Sequence, residues 1–494
     1  MRVRAYLVGC AILAIAGTGA GQTFNPDIPR AWDDKEVERF ELPLAQRDRS
    51  PRYLTAEQYY ALKVRPIYRT YPVYIAGRAP AGYIEGLKQK EPEIAFDASK
   101  LRTKEDWIRA GEAVFEAGVL DMGRRAGAGT GGIPSPPGVI FPTTNEGVIA
   151  FGRYVVRQKG LVEVGFDSCT GCHVRILPDG TAWNGAQLDV AIERADIARI
   201  RDPSNPEAAR RALDLEWARS AAPWIMSREE FDKVVTVDEL VRRKEAMQAG
   251  VRVREGSGSS HPTHIPSLIG LEKLRYLDST GLVRQRSIGD LMRYVIVNYG
   301  LADIAHYGDF QPSPIPLRAG NADANTRFSD EQLYALALYI YSLKPPPNPN
   351  LFDGRARRGQ QIFQQQGCAG CHAPPLYTNN KLTPAPGFKV PEDLRKTDEI
   401  MDVSVGTDPG LATQTRRGTG FYKVPSLRGV WYRNAFGHSG QADTLEEWFD
   451  PARLQGDYVP KGFHLGPGPI KGHEFGLKLA PDDRQALIAF LKTL

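Results

Sequence analysis

The sequence has little cysteine and histidine and lacks long apolar runs beyond its N-terminus. It contains five cysteines and eight histidines in 494 residues. Cys10 lies in the N-terminal apolar stretch and the other four cysteines form two motifs, so none is left for a disulfide. No later apolar run reaches the roughly 18 residues that span a bilayer, so we expect no transmembrane segment. The net charge of +5 is small and the basic residues are scattered, which argues against nucleic acid as a partner.

Residues 1–21 have the pattern of a secretory signal peptide. Arg2 and Arg4 precede an apolar stretch, and small residues follow it where a signal peptidase could cut. The pattern predicts an exported, periplasmic protein. A lipoprotein cleavage box at Leu7-Val-Gly-Cys10 is the weaker alternative, because the apolar run continues past Cys10.

Two five-residue motifs carry the clearest chemical signal. They are Cys169-Thr-Gly-Cys172-His173 and Cys368-Ala-Gly-Cys371-His372. The pattern C-x-x-C-H attaches a c-type haem: the cysteines bond to the porphyrin edge and the histidine ligates the iron. A disulfide pair or a zinc site would use the same cysteines, but neither explains a histidine after both pairs. We therefore predict two covalently bound haems c, with His173 and His372 as iron ligands.

The chain divides into three blocks by composition and motif position. A glycine- and proline-rich stretch ends the first block, and a proline-rich linker separates the other two. The predicted boundaries are an N-terminal extension of irregular and helical structure at 22–138, a first cytochrome c-like haem domain at 139–343 with a helical insertion at about 203–250, a linker at 344–350, and a second cytochrome c-like haem domain at 351–494.

We expect a mostly α fold, since few strand patterns are visible and each haem requires helices around its faces. Apolar residues at helical spacing predict helices at the N-terminal side and at the end of each haem domain. The predicted helices are 104–117, 147–158, 330–343, 356–363 and 481–494; the third has a capping box formed by Ser329 and Gln332.

An internal repeat links the two haem domains. Ile265-Pro-Ser-Leu-Ile-Gly270 matches Val424-Pro-Ser-Leu-Arg-Gly429, and Gly281 matches Gly440 at the same offset. Two related domains in tandem are the simplest explanation of such a repeat.

The third block resembles bacterial di-haem cytochrome c peroxidases and their MauG-like relatives. The resemblance rests on Tyr422-Lys-Val-Pro-Ser-Leu-Arg-Gly429, Phe436-Gly-His438-Ser-Gly440 and Thr444-Leu-Glu-Glu447. It covers 370–494 well, 145–343 only in outline, and the N-terminal block not at all. It implies two cytochrome c-like domains facing each other across a cleft, one haem that receives electrons, another that meets peroxide, and calcium as an additional cofactor between the domains.

The sequence also departs from that family. Where the peroxidases have a methionine ligand past the residue matching His438, this chain has Ala452 and Arg453. The peroxidases also have a histidine soon after the first haem motif, whereas here none occurs between His173 and His261. We therefore expect a divergent member of the superfamily.

The second haem has two candidate distal ligands. The resemblance makes His438 either the distal ligand or a hydrogen-bond donor to a haem propionate. Met401 is a rival, because a thioether ligand would raise the reduction potential of the iron. His464 and His473 lie in a glycine- and proline-rich tail and are expected at the surface or behind the ligands.

His261 and His264, just before the first repeat segment, are the catalytic candidates. Either one could approach the first haem as sixth ligand or as acid/base group, and the alternative is a surface loop. A peroxide-reactive iron needs a group that moves a proton between the two oxygens, and a glutamate would also serve.

These observations predict a di-haem c-type cytochrome oxidoreductase of peroxidase type. The His372 haem would transfer electrons and the His173 haem would meet hydrogen peroxide or oxygen. The electron donor would be a small redox protein or a quinol-linked donor, and a homodimer is left open. The alternative is a non-catalytic di-haem electron carrier.

Overall fold

The computed structural model describes residues 23–117, 132–166, 168–298, 305–312 and 326–494. The predicted signal peptide at 1–21 lies outside the described residues. Within the described ranges, no helix has the length and apolar character needed to cross a membrane.

Helices and short strands are interspersed along the described chain. The α-helices are α1 Asp34–Phe40, α2 Ala56–Ala61, α3 Tyr83–Lys88, α4 Lys104–Glu116, α5 Ile197–Ile200, α6 Pro206–Ser220, α7 Arg228–Val234, α8 Val237–Ala246, α9 Ile288–Asn298, α10 Asp330–Ser342, α11 Gly354–Gln365, α12 Glu392–Thr397, α13 Gly410–Thr413, α14 Leu445–Trp448 and α15 Pro481–Lys492. The strands are β1 Arg52–Tyr53, β2 Lys63–Val64, β3 Thr70–Tyr74, β4 Val148–Gln158, β5 Leu161–Gly165, β6 Val174–Ile176, β7 Ala182–Asn184, β8 Val251–Arg254, β9 Gly258–His264, β10 Tyr276–Leu277, β11 Val283–Arg284, β12 Ala305–His306, β13 Thr326–Arg327, β14 Leu382–Pro384 and β15 Phe421–Lys423.

The fold is mixed α/β, so the expectation of a mostly α protein is wrong. Helices take up 35% of the structure and strands 15%. The strands form several small sheets; the largest described one has three strands in the order β3-β4-β5.

The helix expected at 147–158 is also wrong, because this segment is strand β4. Val148, Phe151 and Val155 have helical spacing, but nearly every residue between them is apolar as well. Most positions of β4 are buried on both faces of its sheet. A segment buried on both faces shows no alternation, and its many β-branched and aromatic residues favour a strand.

Two helix crossings have the same construction in the two halves of the chain. In the first half α4 packs against α10, and in the second half α11 packs against α15. Four helices predicted from sequence are thereby confirmed, including the capping box of Ser329 and Gln332 at the start of α10. The predicted helical segment at 203–250 is also helical and contains α6, α7 and α8.

The N-terminal block is built into the first half rather than laid over it. Strand β3 pairs antiparallel with β4, β1 pairs antiparallel with β12, and β2 pairs in parallel with β13. Helix α4 comes from the same block, so the first helix crossing depends on it. The described part of the block is therefore strand and helix, more regular than the expected extension.

The internal repeat has the same backbone geometry in both copies. Gly270 and Gly429 both have a φ of 75°, and each precedes a short 3-10 turn. Gly281 and Gly440 have φ values of 65° and 70°. Positive φ favours glycine, which explains why the repeat retains it at these positions.

Candidate haem centres

The two C-x-x-C-H motifs fold into the same short turn. Each begins with a 3-10 turn, Cys169–Gly171 in the first motif and Cys368–Gly370 in the second. In both motifs the amides of the second cysteine and of the histidine donate to the carbonyl of the first cysteine, at 3.2 and 2.8 Å. The two motifs therefore present their side chains from equivalent backbone.

The four cysteines of the motifs form no disulfide with one another and are partly buried. Burial raises the pKa of Cys368 to about 11 and also raises that of Cys371. No disulfide forms among the described residues. Paired free thiols next to a histidine are what covalent haem attachment requires.

A repeat proline lies beside each motif histidine. Burial lowers the pKa of His173 to about 4, while the Pro266 carbonyl raises it and Arg252 lowers it further. Burial also lowers the pKa of His372, against the carbonyls of Tyr377 and Pro425. Both imidazoles are therefore neutral near pH 7, the form that ligates a metal. Because Pro266 and Pro425 are matching positions, the repeat supplies the same neighbour to both histidines.

The serine after each proline fixes the loop that follows each motif. Ser267 Oγ donates to the Gly185 carbonyl at 3.4 Å, and Ser426 Oγ donates to the Leu376 carbonyl at 2.5 Å. The amide of the next residue adds a second bond in both halves, to the carbonyls of Gly185 and Tyr377. The matched segments thus hold the two motifs in equivalent surroundings.

His473 lies beside His372, a proximity that no sequence motif predicts. The centres of the two imidazole rings are 6.2 Å apart, with an angle of 58° between the rings. Nδ1 of His473 is buried and has no hydrogen-bond partner. Its backbone has a φ of 46°, a region that non-glycine residues rarely adopt. This placement brings a residue of the tail next to a predicted iron ligand.

Arg453 holds the segment that carries His473. Its side chain is fully buried and donates to the carbonyls of Trp448, Gly472 and His473 at 2.8 to 3.0 Å, and also to that of Ile470. A buried guanidinium with carbonyl partners on both sides of a bend fixes the backbone there.

Met401 lies at the edge of the second motif. Its Sδ is 4.0 Å from Cys371 Sγ and 3.8 Å from Nδ2 of Asn379. The described polar contacts of Met401 are thus with Cys371 and Asn379, and none is with His372.

His261, His264 and His438 form one cluster between the two halves. The ring of His438 stacks on Tyr422 with centres 4.5 Å apart. The His438 carbonyl accepts from the amide of His264 at 3.2 Å and lies 3.3 Å from its Nδ1. Nε2 of His438 is 3.3 Å from Nε2 of the Gln441 side chain.

Burial keeps these three histidines neutral near pH 7. It lowers the pKa of His264 and of His438 to about 4 and also lowers the pKa of His261. Asp408 opposes the shift at His261 and His438, because its negative charge favours the protonated imidazole. The structure thus places the two catalytic candidates next to His438.

Glu41, Arg254, Asp278 and Arg417 form a buried charged cluster. It is joined through Tyr53 to the hydrophobic core against which Cys169 also packs. Glu41 accepts from the Tyr53 hydroxyl at 2.6 Å, and its other oxygen is 3.6 Å from Arg417. Burial raises the pKa of the Glu41 carboxyl, against the lowering effect of Arg417 and Tyr53. Glu41 belongs to the N-terminal block, where no motif identified it.

A second buried ion pair supports the first motif. Arg252 donates to Cys172 Sγ at 2.9 Å and to the Gly171 carbonyl at 3.2 Å. Glu193 lies 3.4 Å from Arg252 and 3.6 Å from Lys244. Burial raises the pKa of Glu193, but the cations lower it by more. The net result is a pKa of about 2, below the ordinary value. The carboxylate therefore stays ionised and keeps Arg252 against the motif.

The cleft between the two repeat segments is lined by cationic side chains and not by carboxylates. Pro266 and Pro425 line it from the two halves, and its other lining residues include four cationic side chains, Lys381, Lys423, Arg428 and Arg433. None of the described lining residues is a carboxylate, which calcium prefers. No cluster of three or more acidic, histidine or cysteine side chains suited to a metal ion occurs in the described ranges.

The residues of both motifs fit a covalent haem. Each half has a pair of thiols without a disulfide, a neutral imidazole and a repeat proline beside it, and the buried Nδ1 of His173 lacks a hydrogen-bond partner of normal geometry. This donor set is the one that a c-type haem uses.

Comparisons with known proteins found only distant structural similarity. Hydrazine synthase of Kuenenia stuttgartiensis, pressurised with xenon, is 14% identical, with a TM-score of 0.27, over 56% of this chain and 85% of that one. The di-haem peroxidase BthA of Burkholderia thailandensis is 18% identical, with a TM-score of 0.21, over 47% and 66%. A variant of BthA is 17% identical, with a TM-score of 0.26, over 72% and 94%. No protein-family model matches the sequence, and no curated protein is significantly similar to it.

Proposed function

We propose that this protein is a di-haem c-type cytochrome that acts as a peroxidase-type oxidoreductase in the periplasm, after removal of residues 1–21. The observation that carries this proposal is the equivalence of the two motifs. Both have the same turn, the same hydrogen bonds and a repeat proline beside the histidine. Bound haem supplies one-electron iron chemistry and, where a coordination position is open, a binding site for an oxidant.

The two halves differ in a way that supports separate roles. A second imidazole lies beside His372, whereas the ring contacts of the described residues include none with His173. The electrostatic neighbours of His173 are Arg252 and the Pro266 carbonyl. We therefore assign the oxidant to the first half and electron transfer to the second.

The proposed reaction reduces one molecule of hydrogen peroxide to two molecules of water. It consumes two protons and two electrons, and the electrons arrive singly from a small redox protein or a quinol-linked donor. Oxygen is the second candidate oxidant. The chain must therefore position an acid/base group near the first haem motif, where it can give a proton to the oxidant and take one from it.

Glu41 is the described carboxyl that best suits this proton transfer. Its pKa is raised, so the proton is held more tightly than on an exposed glutamate. Tyr53 orients one of its oxygens, and the other lacks a hydrogen-bond partner although it is buried. Cys169 and Tyr53 pack against the same hydrophobic core, which relates Glu41 to the first motif.

Mass and absorption measurements on the purified protein test the proposal. We expect a mass equal to the processed chain plus two haems, a high-spin component in the ferric spectrum, and carbon monoxide binding after reduction. Peroxide reduction with a reduced small cytochrome should be lost in His173→Ala while the second haem is retained. Two low-spin haems that ignore peroxide and carbon monoxide would instead identify an electron carrier, and a colourless protein would overturn both functions.

A further inference from the structure

We propose that His473 is the sixth ligand of the second haem iron, on the side opposite His372. This inference rests on the proposed function, because it requires a haem at the second motif. It goes beyond that function by assigning a ligand that neither motif nor repeat predicts.

The spacing of the two rings carries the proposal. Two imidazoles bound on opposite sides of one iron, each at about 2 Å, hold their ring centres roughly 6 Å apart. The ring centres of His372 and His473 are 6.2 Å apart. Nδ1 of His372 lies 3.1 Å from the Tyr377 carbonyl, which leaves Nε2 as the atom free for a metal. The angle of 58° between the rings is compatible with this arrangement, because each ring can turn about the axis through the iron.

The backbone at His473 is held in an unfavourable conformation. A φ of 46° is costly for a residue with a Cβ and persists only where the surroundings impose it. The amide of His473 donates to the Val405 carbonyl at 2.7 Å, and Arg453 donates to its carbonyl at 2.9 Å. The preceding Gly472 lies so close to the backbone of Gly406 that a side chain there would overlap with it. These contacts position one imidazole against His372.

The rival ligands have other contacts. The His438 ring stacks on Tyr422 and lies against Gln441, and no described ring contact joins it to His372. Met401 contacts the attachment cysteine Cys371 rather than His372. His473 is the described imidazole that faces the motif histidine of the second half.

Substitution of His473 with a spectroscopic readout tests the assignment. In His473→Ala we expect the low-spin ferric signal of the second haem to be lost in the absorption and electron paramagnetic resonance spectra, and exogenous imidazole to restore it. In His473→Met the midpoint potential of this haem should rise, because a thioether ligand favours the reduced iron. Met401→Leu and His438→Ala are the matched controls, and both should keep the low-spin signal.

The outcomes separate this inference from the proposed function. If His473→Ala keeps the low-spin signal, the assignment is overturned; loss of the signal in Met401→Leu or His438→Ala would then identify the ligand. Imidazole rescue distinguishes a missing ligand from a misfolded protein, since a damaged fold would not recover. Absence of haem from the unmodified protein would instead contradict the proposed function.

Discussion

Gly359 of α11 lies directly against the Ala486 carbonyl of α15, so close that a Cβ at Gly359 would overlap with it. Gly111 of α4 has the same relationship to Ala335 of α10. The ring of the aromatic residue one turn after each glycine packs edge-on against the partner helix, Phe115 on Tyr339 and Phe363 on Phe490. The two halves of the chain therefore share a helix crossing that only glycine permits.

Gly359→Ala should destabilise the second half. The added methyl group meets backbone rather than a flexible side chain, so the helices must separate at a cost of about 1–3 kcal/mol. Urea unfolding of the haem-loaded protein measures the change. Gly354→Ala is the matched control, because it lies in the same helix and its Cβ would face open space. Equal stability of the two variants would contradict the close contact between Gly359 and the α15 backbone.

Glu193→Gln should change the acid stability of the first half. The folded pKa of about 2 lies below the ordinary value of 4.5, so the carboxylate stabilises the fold above pH 4.5 and loses this contribution as the pH falls to 2. The difference corresponds to about 3 kcal/mol of unfolding free energy at neutral pH. Unfolding measured between pH 7 and 2 should be less pH-dependent in the variant.

Glu207→Gln provides the control for this acid dependence. Glu207 pairs with Arg210, but both side chains are about two-thirds exposed, so water screens the pair. We expect its stability curve to follow that of the unmodified protein. A parallel shift of Glu193→Gln at every pH would show that Glu193 contributes packing rather than charge.

Arg453→Ala should release the segment that carries His473. Removal of the guanidinium leaves several buried carbonyls without a donor, which should lower the free energy of unfolding by about 3 kcal/mol. Part of the second haem should then become high-spin, with recovery on adding imidazole. Arg453→Lys should restore the signal only partly, because one ammonium cannot reach carbonyls on both sides of the bend. Arg395→Ala, at an exposed ion pair, should leave the spectrum unchanged.

Glu41→Gln should slow peroxide turnover roughly a hundredfold, the usual contribution of an acid/base group. Both haem spectra should stay unchanged, since Glu41 ligates no iron in this proposal. Glu36→Gln is the control: it lies in the same block, is 42% exposed and pairs with Arg286. Full turnover in Glu41→Gln would leave Glu41 with a structural role only.

The sequence predicts the parts of this molecule that depend on local chemistry. Helices α4, α10, α11 and α15 follow from apolar spacing and caps, and the two haem motifs from five adjacent residues each. The prediction for strand β4 is wrong because this segment is apolar on both faces, so its spacing fits a helix equally well. A helix at this position also leaves the pairing of β3 with β4 unpredicted.

The candidate sites depend on contacts that no local pattern encodes. His473 lies next to His372 because of a bend fixed by Arg453. Neither the residue types nor their spacing in the sequence predicts this proximity. Glu41 reaches Arg417 from the opposite end of the chain. Both relationships arise from tertiary folding, which brings together residues far apart in sequence.

The paired helices also bear on the order in which the chain can assemble. Gly111 and Ala335 are separated by far more polypeptide than Gly359 and Ala486, so the first crossing must close a much longer loop. Long loops close more slowly and expose apolar surface while they remain open. The crossing of α11 and α15 consequently needs only residues of the C-terminal portion, whereas α4 has to wait for α10 to emerge.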